Sequence, residues 1–305
     1  MSTQFASHPA RRLGGLTLDP LAWMLTLLAL VLGVSTFFLI VVYVLWQAAG
    51  VFGAVSLSEF LLFEPWVPLA EPPRLGILHA WVSTVYVTGI ALLVAVPLGI
   101  VMALFIAEIA PTAVRNILQP CLEVLAGIPS VVYGFFGYVT LVVWFEHIFD
   151  MTTGVSILAA GLIVAVMVMP FIVSTATEAL DAVPRSFRET GMSLGVTRFY
   201  VIRRIILPRA MPGIFAGIVL AFARGIGETL AALMLAGNSL AVPKELLDRG
   251  QTLTGLIATE LGEAALGTEK FAALFAASAV LMLLILLING GILLIKNRLL
   301  CHAQG

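Results

Sequence analysis

Charge is scarce in this sequence. Asp, Glu, Lys and Arg make up 11% of its 305 residues, against roughly 25% in an ordinary soluble domain. That leaves too little polar surface to face water. Lysine is rarer still: Lys244, Lys270 and Lys296 are the whole complement. None stands in the Gly-rich, Lys-Ser/Thr context of a P-loop, so this chain is not expected to hydrolyse ATP itself. Cysteine is nearly absent. Cys121 and Cys301 lie far apart, and neither a disulfide framework nor a metal spacing follows from them. His8, His79, His147 and His302 are scattered singly and suit solvated or interfacial positions better than ligand positions. No zincin motif, cofactor pattern or metal cluster is present. The net charge of −1 offers no electrostatic footprint for nucleic acid.

Apolar residues are abundant instead. They form 61% of the chain, the mean hydropathy is +1.09, and they fall in long blocks. Blocks at 22–46, 80–106, 117–145, 154–177, 209–237 and 271–295 each exceed the roughly 20 residues a helix needs to cross the hydrocarbon core. Within lipid the backbone must satisfy its own hydrogen bonds, so such blocks are helices. The expected fold class is an all-α membrane protein with six transmembrane helices. Arg11 and Arg12 precede the first block as they would in a targeting signal. The block is too long for a signal core and is expected to remain as the first span.

The third block is the least regular, because Gly127, Pro129, Gly134 and Gly137 interrupt it. Two readings stand: a backbone break lining a pathway, or a Pro-kinked packing helix. Lys and Arg set the orientation. A cytoplasmic N-terminus puts Arg11, Arg12, Arg115, Arg185, Arg188, Arg198, Arg203, Arg204, Arg209, Lys296 and Arg298 inside. It leaves Arg74, Lys244, Arg249 and Lys270 outside. Both termini are therefore expected in the cytoplasm. The organisation that follows has four parts. They are an N-terminal segment (1–21), a first span with its outer loop (22–79), a core (80–295) and a tail (296–305). The outer loops 47–79 and 238–270 are long, and the second should carry a short helix.

The one sizeable inner segment, about 178–208, holds the strongest signal. It reads Glu189-Thr190-Gly191-Met192-Ser193-Leu194-Gly195, then nine residues, then Ile205-Ile206-Leu207-Pro208. A short amphipathic helix here can lay its apolar side chains into a partner's groove. Phe187, Met192 and Leu194 would supply contacts, and Gly195 would end the helix and turn the chain. The segment resembles the EAA motif of bacterial ABC-importer permeases: E-A-A, three residues, G, nine residues, I-x-L-P. Glu189, Gly195, Leu207 and Pro208 match it, whereas Thr190 and Gly191 replace the two alanines.

The resemblance extends to Leu125-Ala126-Gly127-Ile128-Pro129-Ser130-Val131-Val132-Tyr133-Gly134 and Ala223-Arg224-Gly225-Ile226-Gly227-Glu228-Thr229. It also takes in Phe105-Ile106-Ala107-Glu108-Ile109-Ala110-Pro111. These are similar to permeases of the high-affinity phosphate importer, and the long first outer loop is more like the PstC type than the PstA type. The resemblance implies the MetI-like core of type I ABC importers, in a bacterial inner membrane. It implies a PstA-type sibling permease, two ATPase subunits docked on 187–208, and an extracytoplasmic phosphate-binding protein.

A charged pair inside the fifth block needs its own account. Arg224 and Glu228 are four residues apart and would share one face of a continuous helix. A charge at mid-membrane costs about 3 kcal/mol on insertion scales, so such residues face protein or a cavity. Either Arg224 meets an anion in transit, with Glu228 holding it or gating, or the two neutralise each other between helices. Ser130, Tyr133 and Thr229 add hydroxyl groups near the proposed pathway, and Asn238 adds an amide. Hydroxyls in membrane helices often just bond neighbouring backbone. Glu123 could pair with Arg224, pair with an inner-loop arginine, or sit at the interface. Another oxyanion, such as molybdate, sulfate or phosphonate, fits the same residues. An ATP-independent secondary transporter is the more distant alternative, since it would not need the docking segment.

Overall fold

The computed structural model describes residues 18–53, 55–63 and 66–303. The expected N-terminal segment with Arg11 and Arg12, Pro65 of the outer loop, and the last two residues lie outside the described residues. The chain divides into two units, one ending at Trp46 and the other beginning at Gln47. Six helices among the described residues are long and apolar enough to cross a membrane.

Helix α1 (Leu18–Ala49) makes up the described part of the first unit and ends in the second; up to Trp46 its apolar side chains are exposed almost throughout. In the second unit α2 (Leu57–Leu62) and a two-stranded ribbon, β1 (Trp66–Val67) and β2 (Arg74–Leu75), build the first outer loop. Helix α3 (Leu78–Leu104) follows and ends in a π-helical turn at Phe105–Ile109. Then come α4 (Thr112–Gly127), α5 (Ser130–Gly137), a π turn at Tyr138–Val142, and α6 (Val143–Phe149). Next come α7 (Ile157–Asp181), α8 (Arg185–Ser193) and α9 (Arg198–Val201). A third π turn at Ile202–Ile206 leads into α10 (Leu207–Ile226), and α11 (Leu230–Leu235) follows. Helix α12 (Leu253–Glu260) lies in the second outer loop, as expected there, and α13 (Glu269–Ala303) closes the chain.

Helix α7 is the centre of the second unit, and two-thirds of its most apolar stretch is buried. Small residues let its neighbours come close, as membrane helices require when lipid offers no hydrophobic push between them. A Cβ on Gly99 of α3 would lie 2.9 Å from Ile172 Cγ2, and one on Gly161 of α7 would lie 2.7 Å from Ile90. On the outer side Val51, Phe60, Trp66, Leu75 and Ile77 bury against Leu253, Leu256, Ala273 and Leu274. The first outer loop is therefore a packed cap with its own core.

Two spans differ from the sequence expectation. The third runs over 130–149 rather than 117–145. Ile128, which precedes a proline and so avoids the helical region, is extended, with φ −65° and ψ 131°. Pro129 then starts a new helix. Of the two readings offered, the backbone break is the one found. Gly134 and Gly137 do not contribute to it: they sit inside α5 and at its end, and serve close packing. A Cβ on Gly134 would meet Met234 Sδ at 2.9 Å, and one on Gly137 would meet Ile163 at 2.6 Å. The fifth span runs over 198–226 rather than 209–237. Pro208 was expected to end the inner connector, but the helix passes through it. The π turn supplies the reason: Leu207 N–H donates five residues back to Ile202, which loosens the turn where the proline cannot donate.

The outer loops also carry a pH dependence. Ser56 caps α2 in a reciprocal box with Glu59. The Ser56 backbone N–H, then its hydroxyl, hold the Glu59 carboxyl below its ordinary value. Backbone N–H groups of Glu245 and Lys244 do the same for Asp248. Both folded values are depressed, so this stabilisation is present above the unfolded values and is lost as pH falls through the folded ones. Protection factors for amide exchange at Ser56, Lys244 and Glu245 are expected to fall on acidification through the depressed carboxylate values. Protection in α7 should not follow them.

Candidate functional site

The inner segment folds as a helical hairpin. Helix α8 ends with Leu194 as its cap, and Gly195 follows with φ +70°. Val196 N–H donates to Gly191 O and Gly195 N–H donates to Met192 O, which is a Schellman closure. Gly195 thus ends the helix as expected, in a backbone region where side chains are disfavoured. Thr197 then caps α9, accepting from Tyr200 N–H. The glycine in place of the motif's second alanine also has a reason. Gly191 is buried, and a Cβ there would lie 2.5 Å from Val201 Cγ2. Restoring alanine by Gly191→Ala is expected to destabilise the hairpin by about 1–3 kcal/mol. Adding Val201→Ala should recover most of that loss, a double-mutant comparison that thermal unfolding in detergent can read.

Not every predicted docking residue points outward. Met192 is 61% exposed and Leu194 74%, and Glu189, Gly195 and Pro208 are exposed too. Phe187 and Leu207 are not free for a partner. Both pack on the inner core with Val201, Ile206 and Ala210, and the Arg209 guanidinium lies 4.0 Å over the Phe187 ring. Phe187 lies four residues before the buried Gly191, so the two share the face of α8 that turns inward. Sequence reasoning missed Phe199 and Tyr200, which are 69% and 52% exposed. The available signal was a pair of adjacent aromatics in the first turn after a capping threonine, Thr197-Arg198-Phe199-Tyr200. Gly191-Met192-Ser193-Leu194-Gly195 spells the letters of a nucleophile elbow. Ser193, however, closes a helix and donates to Glu189 O at 2.8 Å, without the strand such an elbow requires.

The hairpin is tied to three spans. The Arg188 guanidinium donates to both oxygens of the buried Glu108 carboxylate, the Nε bond to Oε1 being 3.1 Å. It also donates to Val183 O at 2.7 Å and Leu180 O at 3.0 Å. Arg198 donates to the Glu108 backbone carbonyl. Arg115 of α4 pairs with Asp181 at the end of α7.

Within the membrane, Arg224 and Glu228 do not share a helix face. Helix α10 ends at Ile226 with Gly227 as its cap, so the four-residue spacing spans a break. The two charges form no ion pair. Glu228 is buried, its Oε1 accepts from Ala231 N–H at 3.1 Å, and its backbone oxygen accepts from the Thr254 hydroxyl at 2.8 Å. From the position before the N-cap Thr229, it satisfies one N–H of the first turn of α11 and ties the break to Thr254 of α12. Arg224 stays exposed, with its guanidinium 5.3 Å from the centre of the Phe171 ring. Tyr133 donates to Leu125 O at 2.8 Å and so bridges the break at Ile128–Pro129. Thr229 is half-buried and reaches only Gly227 O at 3.4 Å. Ser130 is half-buried at the start of α5. Asn238 has a positive φ, and its amide donates to Leu233 O. Glu123 is exposed on α4 and joins none of the ion pairs among the described residues. Because Gly134 lies against Ala231 and Met234, the two broken spans pack directly on each other.

The binding-protein-dependent transport system inner membrane component family matches residues 95–300. The chain is 38% identical, over 75% of its length and 74% of the relative's, to a probable ABC transporter permease protein YqgH of Bacillus subtilis. It is 34% identical to the phosphate transport system permease protein PstC of Mesorhizobium japonicum, over 72% of this chain and 71% of that one. It is also 30% identical to a probable PstC of Methanocaldococcus jannaschii, over 76% and 79%. A chain of the bacterial alginate ABC transporter, solved with its pentasaccharide-bound periplasmic protein, shares the fold. The TM-score is 0.64 at 18% identity, over 93% of this chain and 98% of that one. A chain of the MetNI methionine ABC transporter does so with a TM-score of 0.52 at 17% identity, over 71% and 91%.

Proposed function

The chain belongs to the binding-protein-dependent transport system inner membrane component family, as a multi-pass ABC importer permease of the MetI type, and from that premise we propose that its cargo is inorganic phosphate. The observation that carries the cargo is its similarity, over about three-quarters of the chain, to permeases named for phosphate transport. Arg224 supports it. This arginine has no carboxylate partner and stands where two broken spans meet. A guanidinium can donate two hydrogen bonds at once to a phosphate edge. In this reading Ser130 and Thr229 contribute hydroxyl groups to the pathway, while Tyr133 holds the break through Leu125 O. Glu228 positions the break as a helix cap.

In this account the chain forms half of the pathway and a PstA-type sibling forms the other half. Two ATPase subunits dock on Glu189, Met192, Leu194, Phe199 and Tyr200, and an extracytoplasmic phosphate-binding protein delivers the ion. The docking hairpin and the arginine-rich loops belong to one side, so both termini are cytoplasmic. ATP and the loaded binding protein bias the permease between outward- and inward-facing states, each by binding one state better than the other.

Uptake by the complete complex in proteoliposomes tests the cargo. Labelled phosphate is expected to accumulate, and unlabelled sulfate, molybdate or phosphonate in excess should compete poorly. Uptake of one of those anions in preference to phosphate would keep the permease and reject the cargo.

A further inference from the structure

Glu108 is a buried carboxylate at the inner end of the second span, and neither cargo binding nor ATPase docking uses it. Its side chain is 2% exposed, and it sits in the π turn at Phe105–Ile109. Charged groups are seldom buried this deeply unless paired, and its partner comes from the docking helix. Arg188 reaches 80 residues along the chain to hold the Glu108 carboxylate. With the rest of its fork it holds the Leu180 and Val183 carbonyls at the end of the fourth span. Arg198, at the start of the fifth span, holds the Glu108 carbonyl. One docking-helix side chain therefore connects the inner ends of two spans, and a second arginine adds a third.

Packing alone does not make this connection. A cavity of about 270 Å³ lies between the docking helix and the span ends, lined by Glu108, Arg188, Met192, Arg198 and Ile206. Where apolar contact is incomplete, a rigid bidentate pair carries displacement better than loose side chains do. The π turn is a place where a helix can change register, since such turns are local departures from the α-helical ladder.

We propose that Glu108 and Arg188 are positioning residues that transmit movement of the docked ATPase to the second and fourth spans. This rests on the permease reading above. Their loss uncouples hydrolysis from transport without undocking the ATPase, because neither residue belongs to the exposed contact face.

The test reconstitutes this chain with its sibling permease, ATPase and binding protein in proteoliposomes. Phosphate import and ATP hydrolysis are measured on the same samples for wild type, Glu108→Gln, Arg188→Gln and the double variant. ATP hydrolysed per phosphate imported is expected to rise roughly tenfold in each single variant, with ATPase still bound. The double variant should be no worse than either single one. A merely structural role lowers import and hydrolysis together and leaves their ratio at the wild-type value. That result overturns the proposal, as do effects that multiply in the double variant. If Arg188→Gln does not assemble, Glu108→Gln decides alone, since its amide keeps the shape and an acceptor oxygen; failure of that variant to assemble also overturns the proposal. If the wild-type chain binds no ATPase, it is the permease reading that fails.

Discussion

Arg224→Ala is expected to lower phosphate uptake by roughly 10- to 100-fold, because a hydrogen bond to a charged group contributes about 1.5–3 kcal/mol. The complex should still assemble. Arg224 touches the face of Phe171 and holds no carboxylate, so its removal strands no buried partner. Arg224→Lys keeps the charge but loses the planar fork, and its uptake should fall between the two. Glu228 supplies the contrast. Glu228→Gln still offers an oxygen to Ala231 N–H and should transport nearly as well as wild type. Glu228→Ala removes the cap and should cost about 1 kcal/mol of stability. If Glu228→Gln abolished uptake while Arg224→Ala left it intact, the roles assigned to the two residues would be reversed.

Gly195→Val is the second large effect. A β-branched residue at φ +70° is a severe outlier, and left-handed backbone costs about 1–2 kcal/mol for an ordinary side chain. The Schellman closure of α8 would open, and Met192 and Leu194 would leave the exposed positions that the closure gives them. ATPase affinity for the permease pair is expected to drop roughly tenfold, since every 1.4 kcal/mol is a factor of ten. Gly195→Asn tests the cause. Asparagine tolerates the left-handed region, so it should dock more nearly like wild type. Equal losses in Val and Asn variants would point to side-chain bulk at the interface instead of the turn.

Much of this architecture was legible because lipid leaves few options. An apolar block of about 20 residues must be a helix, and so six spans could be read directly. The break at Ile128–Pro129 was legible as one of two options, since a residue before proline avoids the helical region. The second break was not. Nothing local in Gly225-Ile226-Gly227 distinguishes a helix end from a flexible helix interior, and the i, i+4 reading of Arg224 and Glu228 assumed continuity. The outward face of α8 was half legible. Met192 and Leu194 are exposed, whereas Phe187 packs partly on the core; a nine-residue helix offers too little periodicity to say which side meets the core. Glu108 was quoted only as part of a resembling segment. Its pairing with Arg188 spans 80 residues, and burial that depends on contacts so distant leaves no local pattern.

The central claim is that this permease is driven by an ATPase through the α8–α9 hairpin. The most direct test follows ATP hydrolysis by the reconstituted complex, with and without loaded binding protein, alongside phosphate accumulation in the same vesicles. The account predicts that both rise together on adding the loaded binding protein, and that Gly195→Val weakens both while the permease pair stays intact. ATP-independent accumulation, or hydrolysis indifferent to the binding protein and to the hairpin variant, would contradict it.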